Sequence, residues 1–125
     1  MKTLQLIALL FFCGCSVVPK CEQYEITVKA YCPCKLCCGE WADGLTKLET
    51  DAYQPGVAVP KNGPIPLGAI VEVPGYGAYV ADDVGGNLTK WWKKEKRLVI
   101  EVRFKTHEEA LQWGNQKHKI RVWAK

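Results

Sequence analysis

The sequence predicts an all-β protein: a small closed barrel of six short strands with one short helix. Short runs of alternating apolar and polar residues recur along the chain, and clusters of Gly, Pro, Asn and Asp punctuate them. One segment alone carries paired helix start and stop signals, Thr106 to Gly114. A chain of 125 residues has room for a single modest core.

The first strand is Tyr24 to Tyr31, with Tyr24, Ile26, Val28 and Ala30 on one face and Glu25, Thr27 and Lys29 on the other. A cysteine-rich loop follows, and Trp41-Ala-Asp-Gly44 marks a turn before an irregular polar stretch. Val57 to Val59 is a short strand halted at Pro60, with Asn62-Gly63 as a turn. Ala69 to Val73 and Ala78 to Ala81 flank the turn Pro74-Gly-Tyr-Gly77 and read as a hairpin. Asp82-Asp-Val-Gly-Gly86 reads as a sharp polar turn, and Asn87 to Lys96 as a basic segment bearing Trp91 and Trp92. Arg97 to Phe104 is a strand that places Val99, Glu101 and Arg103 on one face and Leu98, Ile100, Val102 and Phe104 on the other. Thr106-His-Glu-Glu109 is a capping box, so a helix runs to about Trp113 and stops at Gly114. Lys119 to Trp123 supplies the last strand.

The net charge of +4 suits an anionic surface such as a cell wall or membrane. It falls short of the basic patch of a nucleic-acid binder, and no nucleic-acid motif, phosphate loop or dinucleotide fingerprint is present. Residues 1–14 have the charged start and short apolar run of a secretory signal, too short to span a bilayer. Phe12-Cys13-Gly14-Cys15 resembles a lipobox, which makes Cys15 the lipidation site and residues 15–23 a tether to a domain at 24–125. Three acyl chains there would anchor the protein to a membrane, at about 0.8 kcal/mol per buried CH₂. With Ser16 after that cysteine, outer-membrane sorting follows in a Gram-negative host. The alternative is a plain cleaved signal.

Cys32, Cys34, Cys37 and Cys38 crowd one loop, with Cys21 left over. Two disulfides within the loop are expected for an exported chain. A zinc ion held by these four thiolates is the alternative, and redox exchange is disfavoured because no βαβ pattern surrounds the CxxC. No other metal site and no cofactor is expected. His107 and His118 have no metal-ligand partner at useful spacing and read as surface residues, while Trp41, Trp113 and Trp123 read as packing residues.

Three blocks, "AYCPCKLCCGEWADGLT" (Ala30 to Thr46), "PIPLGAIVEVPGYGAYVADDVGG" (Pro64 to Gly86) and "IEVRFKTHEEALQWG" (Ile100 to Gly114), together resemble the 3D domain, named for three aspartates. The family is best known from membrane-bound lytic transglycosylase A. The resemblance implies a double-psi β-barrel in the bacterial envelope, a monomer bound to peptidoglycan glycan strands and not to nucleic acid. It implies cleavage of the bond between N-acetylmuramic acid and N-acetylglucosamine to a 1,6-anhydro product. The family's aspartate before two glycines matches Asp83, its catalytic aspartate falls on Glu101, and its first aspartate falls on Pro60. The catalytic candidates are therefore Glu101 and Asp83, with Asp82, Gly85, Gly86, Trp91 and Trp92 as candidate substrate contacts. The residues alone leave three questions open. Glu101 is equally a solvated strand residue with Arg103 as ion-pair neighbour, Asp82 and Asp83 equally turn formers, and the tryptophans equally anchors of a solvated loop. The corresponding alternative for the whole chain is a non-catalytic glycan-binding module.

Overall fold

The computed structural model describes residues 20–124. The predicted signal at 1–14 and the lipidation candidate Cys15 lie outside the described residues. Six strands close into a barrel: β1 (Cys21–Tyr31), β2 (Val57–Val59), β3 (Ile70–Val73), β4 (Gly77–Val84), β5 (Val99–Arg103) and β6 (Gln116–Trp123). Around the barrel the order is β1-β5-β2-β4-β3-β6, and β6 pairs again with β1. The contacts β1·β5 and β2·β4 are parallel and the other four antiparallel, so no strand is left as an edge. The closed six-stranded barrel expected from the sequence is present. Its first strand begins at Cys21, which places Cys21 to Gln23 in the sheet.

The interior is packed with small branched side chains: Val28 on β1, Val57 and Val59 on β2, Val71 and Val73 on β3, Ile100 and Val102 on β5, and Ile120 and Val122 on β6. These are every second residue of their strands, as a pleat with one face turned inward requires. Period 2 then forces Val99, Glu101 and Arg103 onto the outer face of β5.

That outer face is covered. Helix α2 (Gly86–Glu95) lays Leu88, fully buried, against Tyr31, Ala58 and Val99, with Trp91 and Cys38 at the margin. Two further helices complete the fold: α1 (Lys35–Cys38), followed by a 3-10 turn at Gly39–Trp41, and α3 (His107–Trp113). The sequence led to one helix, and α3 is that helix. The Thr106 hydroxyl accepts the Glu109 N–H at 3.2 Å and donates to the Glu109 carboxylate at 2.8 Å. α2 occupies the segment read only as basic and tryptophan-bearing, with no helix expected there. It starts at Gly85, whose added Cβ would meet Leu88 Cδ1 at 2.7 Å, so glycine is what lets Leu88 close on the barrel. It ends on Lys96 in the left-handed conformation (φ 53°).

Candidate functional site

The registers of three strand pairs create a transverse row on the covered outer face. Lys29 of β1 lies opposite Glu101 of β5, Glu101 opposite Ala58 of β2, and Ala58 opposite Asp83 of β4. The two candidate acids thus sit two strand spacings apart, about 10 Å between backbones, with only a methyl group between them.

Glu101 is half-buried. Burial pushes its carboxyl up from 4.5 to about 7; the Lys29 charge opposes that rise and the Asp83 charge adds to it. Arg103, two residues along the same face, does not pair with it. The guanidinium instead grips Asp82 with Nη1 on Oδ1 and Nη2 on Oδ2, both at 2.8 Å, and Arg103 and Asp82 are both buried. Nε donates to the Gln54 carbonyl at 2.9 Å, and the Thr50 hydroxyl donates to Asp82 Oδ2 at 2.8 Å.

This corrects three readings. Asp82 and Asp83 lie within β4 and not in a turn. Asp82 is buried, with both carboxylate oxygens taken up by Arg103 and Thr50, and not open at the surface as expected of a substrate contact. The ion-pair neighbour proposed for Glu101 is engaged elsewhere. Gly56 makes room for the Arg103–Asp82 pair, since a Cβ there would clash with the guanidinium and lie 2.7 Å from Asp82 Oδ1.

The pair is wired to the second acid. Arg103 Nη1 donates to the Tyr31 hydroxyl at 3.0 Å, and that hydroxyl donates to Asp83 Oδ2 at 2.7 Å. Burial and the Asp83 charge hold the Tyr31 phenol well above its ordinary value, so it keeps the proton it gives to Asp83. Asp83 Oδ1 accepts the N–H groups of Lys47 and Val84, each at 3.0 Å. Asp83 is therefore clamped from three sides, while among the described residues no side-chain hydrogen bond fixes Glu101.

Gly85 is the N-cap of α2. Its N–H goes to the Val59 carbonyl at 3.2 Å, and its carbonyl accepts the Thr89 N–H at 3.0 Å and hydroxyl at 2.8 Å. Its backbone is thus committed to the fold, whereas Gly86 is exposed with open space around it. Trp91 packs toward the row, with Lys29 Nζ 4.8 Å and Arg97 4.7 Å from its ring centroid. Trp92 faces a separate groove shared with Lys61, Thr89 and Lys96. The structure therefore brings Glu101, Asp83 and Trp91 together and leaves Trp92 outside. Trp41, expected to pack, is 77% exposed. Trp113 does pack, donating from its indole to the Val28 carbonyl at 3.0 Å. His118 lies within β6, half-buried, 2.7 Å from Gln116.

The cysteine loop forms the remaining wall. No disulfide joins the described cysteines; Cys21, Cys32, Cys34, Cys37 and Cys38 are all free. The two expected loop disulfides are absent because three of the sulfurs converge on an imidazole instead of pairing. Cys32, Cys34 and Cys37 Sγ lie 3.5, 3.6 and 3.4 Å from His107 Nδ1. The sequence reading grouped Cys38 with these thiols and left His107 at the surface, and both points are corrected. Cys38 turns away, its thiol on the Cys32 carbonyl at 3.4 Å. Burial raises that thiol to about 11, with the charges of Cys37, Asp83, Cys34 and Glu101 adding, and the side chain packs against the cluster of Tyr31, Ala58, Leu88 and Val99. The capping box was the available signal for His107: it fixes the residue at the first position of α3, the helix that packs on β1.

No family model matches the chain. It is similar to a protein of Bacillus subtilis (strain 168) named as cell wall shaping protein YabE, at 35% identity over 89 residues, which is 71% of this chain. The chain spans about a fifth of that relative's length. The described domain is thus a closed barrel similar to one part of a protein named for shaping the cell wall.

Proposed function

We propose that this chain is an exported envelope protein, held to a membrane by a lipid on Cys15, that acts as a monomer on peptidoglycan. In this reading Glu101 is the single acid/base of a lytic transglycosylase. One observation carries it: a half-buried, unclamped carboxyl with its pKa raised to about 7, in register with an acid held by three hydrogen bonds.

Protonated Glu101 gives its proton to the glycosidic oxygen between N-acetylmuramic acid and N-acetylglucosamine as the C1–O bond breaks. The resulting carboxylate takes the proton of the muramyl 6-hydroxyl as O6 bonds to C1. The product is a 1,6-anhydro sugar and no water is consumed, unlike the two-carboxylate hydrolysis of ordinary glycosidases. Burial, with the negative charge of Asp83 adding to it, holds the Glu101 proton toward neutral pH, and the Asp83 charge stabilises the positive charge that develops at C1. Lys29 at one end of the row and Trp91 beside it supply a donor and an aromatic face for a sugar.

A second reading is a glycan-binding module. It draws on the apolar side chains exposed along the segment from Leu36 to Tyr53, Trp41 among them. The test is a digest of purified peptidoglycan with the full chain in mild detergent, analysed by mass spectrometry for 1,6-anhydro muropeptides. Anhydro products that disappear with Glu101→Gln support catalysis. No product, with sedimentation onto peptidoglycan retained, overturns catalysis in favour of binding.

A further inference from the structure

We infer that Cys32, Cys34, Cys37 and His107 form a closed tetrahedral zinc site that pins the cysteine loop to α3. The four donor atoms lie within 4.8 Å of one another. A tetrahedron with Zn–S of about 2.3 Å and Zn–N of about 2.0–2.1 Å has S···N edges of about 3.5 Å and S···S edges of about 3.8 Å. The three S···N separations of 3.5, 3.6 and 3.4 Å match the first value. The Cys32–Cys34 and Cys32–Cys37 separations of 3.0 and 3.5 Å are shorter than the second, and thiolates drawn around a central cation open in that direction.

The local backbone holds the ligands close. The amides of Cys37 and Cys38 both donate to the Cys34 carbonyl, at 3.2 and 2.9 Å, a tight turn that keeps the Cys34 and Cys37 side chains on one side of the loop. The donor set selects the metal: three thiolates and one imidazole suit zinc, not magnesium or calcium. With four protein donors no coordination position is left for water or substrate, so the ion is structural. Binding expels the three thiol protons to solvent and uses His107 neutral at Nδ1.

The site ties together segments far apart in sequence, the exit of β1 and the start of α3. Cys38 follows Cys37 directly and is hydrogen-bonded to Cys32, so fixing the ligands also fixes the wall beside Glu101 and Asp83.

The experiment is metal analysis of the full chain, purified in detergent with reductant and zinc, followed by exchange with Co²⁺. The expected result is one zinc per chain, and a cobalt complex with thiolate charge-transfer bands in the near ultraviolet and intense tetrahedral bands in the red. His107→Ala and Cys37→Ser should lose the bound metal on dialysis against a chelator, while Cys38→Ser should keep it. A weak octahedral cobalt spectrum, or Cys32, Cys34 or Cys37 recovered in a disulfide from the wild-type protein, overturns the site. So does stoichiometric, tetrahedral metal in His107→Ala, or loss of the metal in Cys38→Ser. The wild-type spectrum decides the matter even if a ligand variant does not fold, and no arm depends on glycan cleavage.

Discussion

Replacing Glu101 by Gln should stabilise the protein, and only above a certain pH. Gln has the shape of the protonated carboxyl and cannot ionise. In the folded chain burial raises the Glu101 carboxyl from 4.5 to about 7, so folding favours its proton-bound form. Below pH 4.5 the side chain is protonated both folded and unfolded, and ionisation contributes nothing to the comparison. Between 4.5 and about 7 the unfolded chain ionises while the folded chain resists, and stability is lost progressively. Above about 7 the loss is complete. At about 1.4 kcal/mol per unit the full effect is about 3 kcal/mol, and the residual exposure of the side chain lowers it toward about 2 kcal/mol. Urea denaturation of wild type and Glu101→Gln at intervals from pH 4 to 9 isolates it, because every other titrating group is common to both chains. The variant's advantage should rise by about 2–3 kcal/mol across the interval and then plateau. A difference that stays flat with pH, or that favours the wild type more as pH rises, would refute the burial argument and with it the case for Glu101 as an acid near neutrality.

The other expectations concern the framework. Asp82→Asn leaves Arg103 charged, buried and half-partnered, and should cost about 3–5 kcal/mol in thermal or denaturant unfolding; Asp82→Leu with Arg103→Met should recover most of it. Gly56→Ala drives a methyl into the same pair and should behave like Asp82→Asn, whereas Gly86→Ala meets open space and should leave the melting temperature nearly unchanged. Thr106→Ala removes the α3 cap and should cost about 1 kcal/mol, measured by chemical denaturation. If glycan cleavage is observed, its rate should fall as pH rises above about 7, where Glu101 loses the proton it donates. A rate that keeps rising to pH 9 would exclude that role.

The strands were legible because each buries one face, so the inward residues Ile100, Val102, Ile120 and Val122 announce themselves by alternation. The outer layer was harder to read. Asp82 sits in a strand but resembles a turn former, because its burial depends on an arginine that only the fold brings near. α2 hid behind its lysines and its Gly-Gly start; the helical spacing of Leu88, Trp91 and Trp92 was its one internal signal. Glu101 was identifiable as a candidate, but its environment was not, since Lys29, Ala58 and Asp83 approach it from three other strands. His107 was missed for the same reason. Local spacing groups four cysteines as one cluster, but says nothing of an imidazole that a distant helix brings to three of them.

The transverse row has a consequence for when the chain becomes competent. Its four members come from the beginning, the middle and the later part of the polypeptide, and β5 is the strand that docks between β1 and β2. While a ribosome is still extending the chain, Lys29, Ala58 and Asp83 can all be present without Glu101. Even afterwards, a strand slipped by one residue would turn the carboxyl inward and leave no weakened version of the arrangement behind. The row therefore arises in one step with closure of the barrel, and on the proposed catalytic reading a nascent or misregistered chain would have no partial activity with which to damage the cell that makes it.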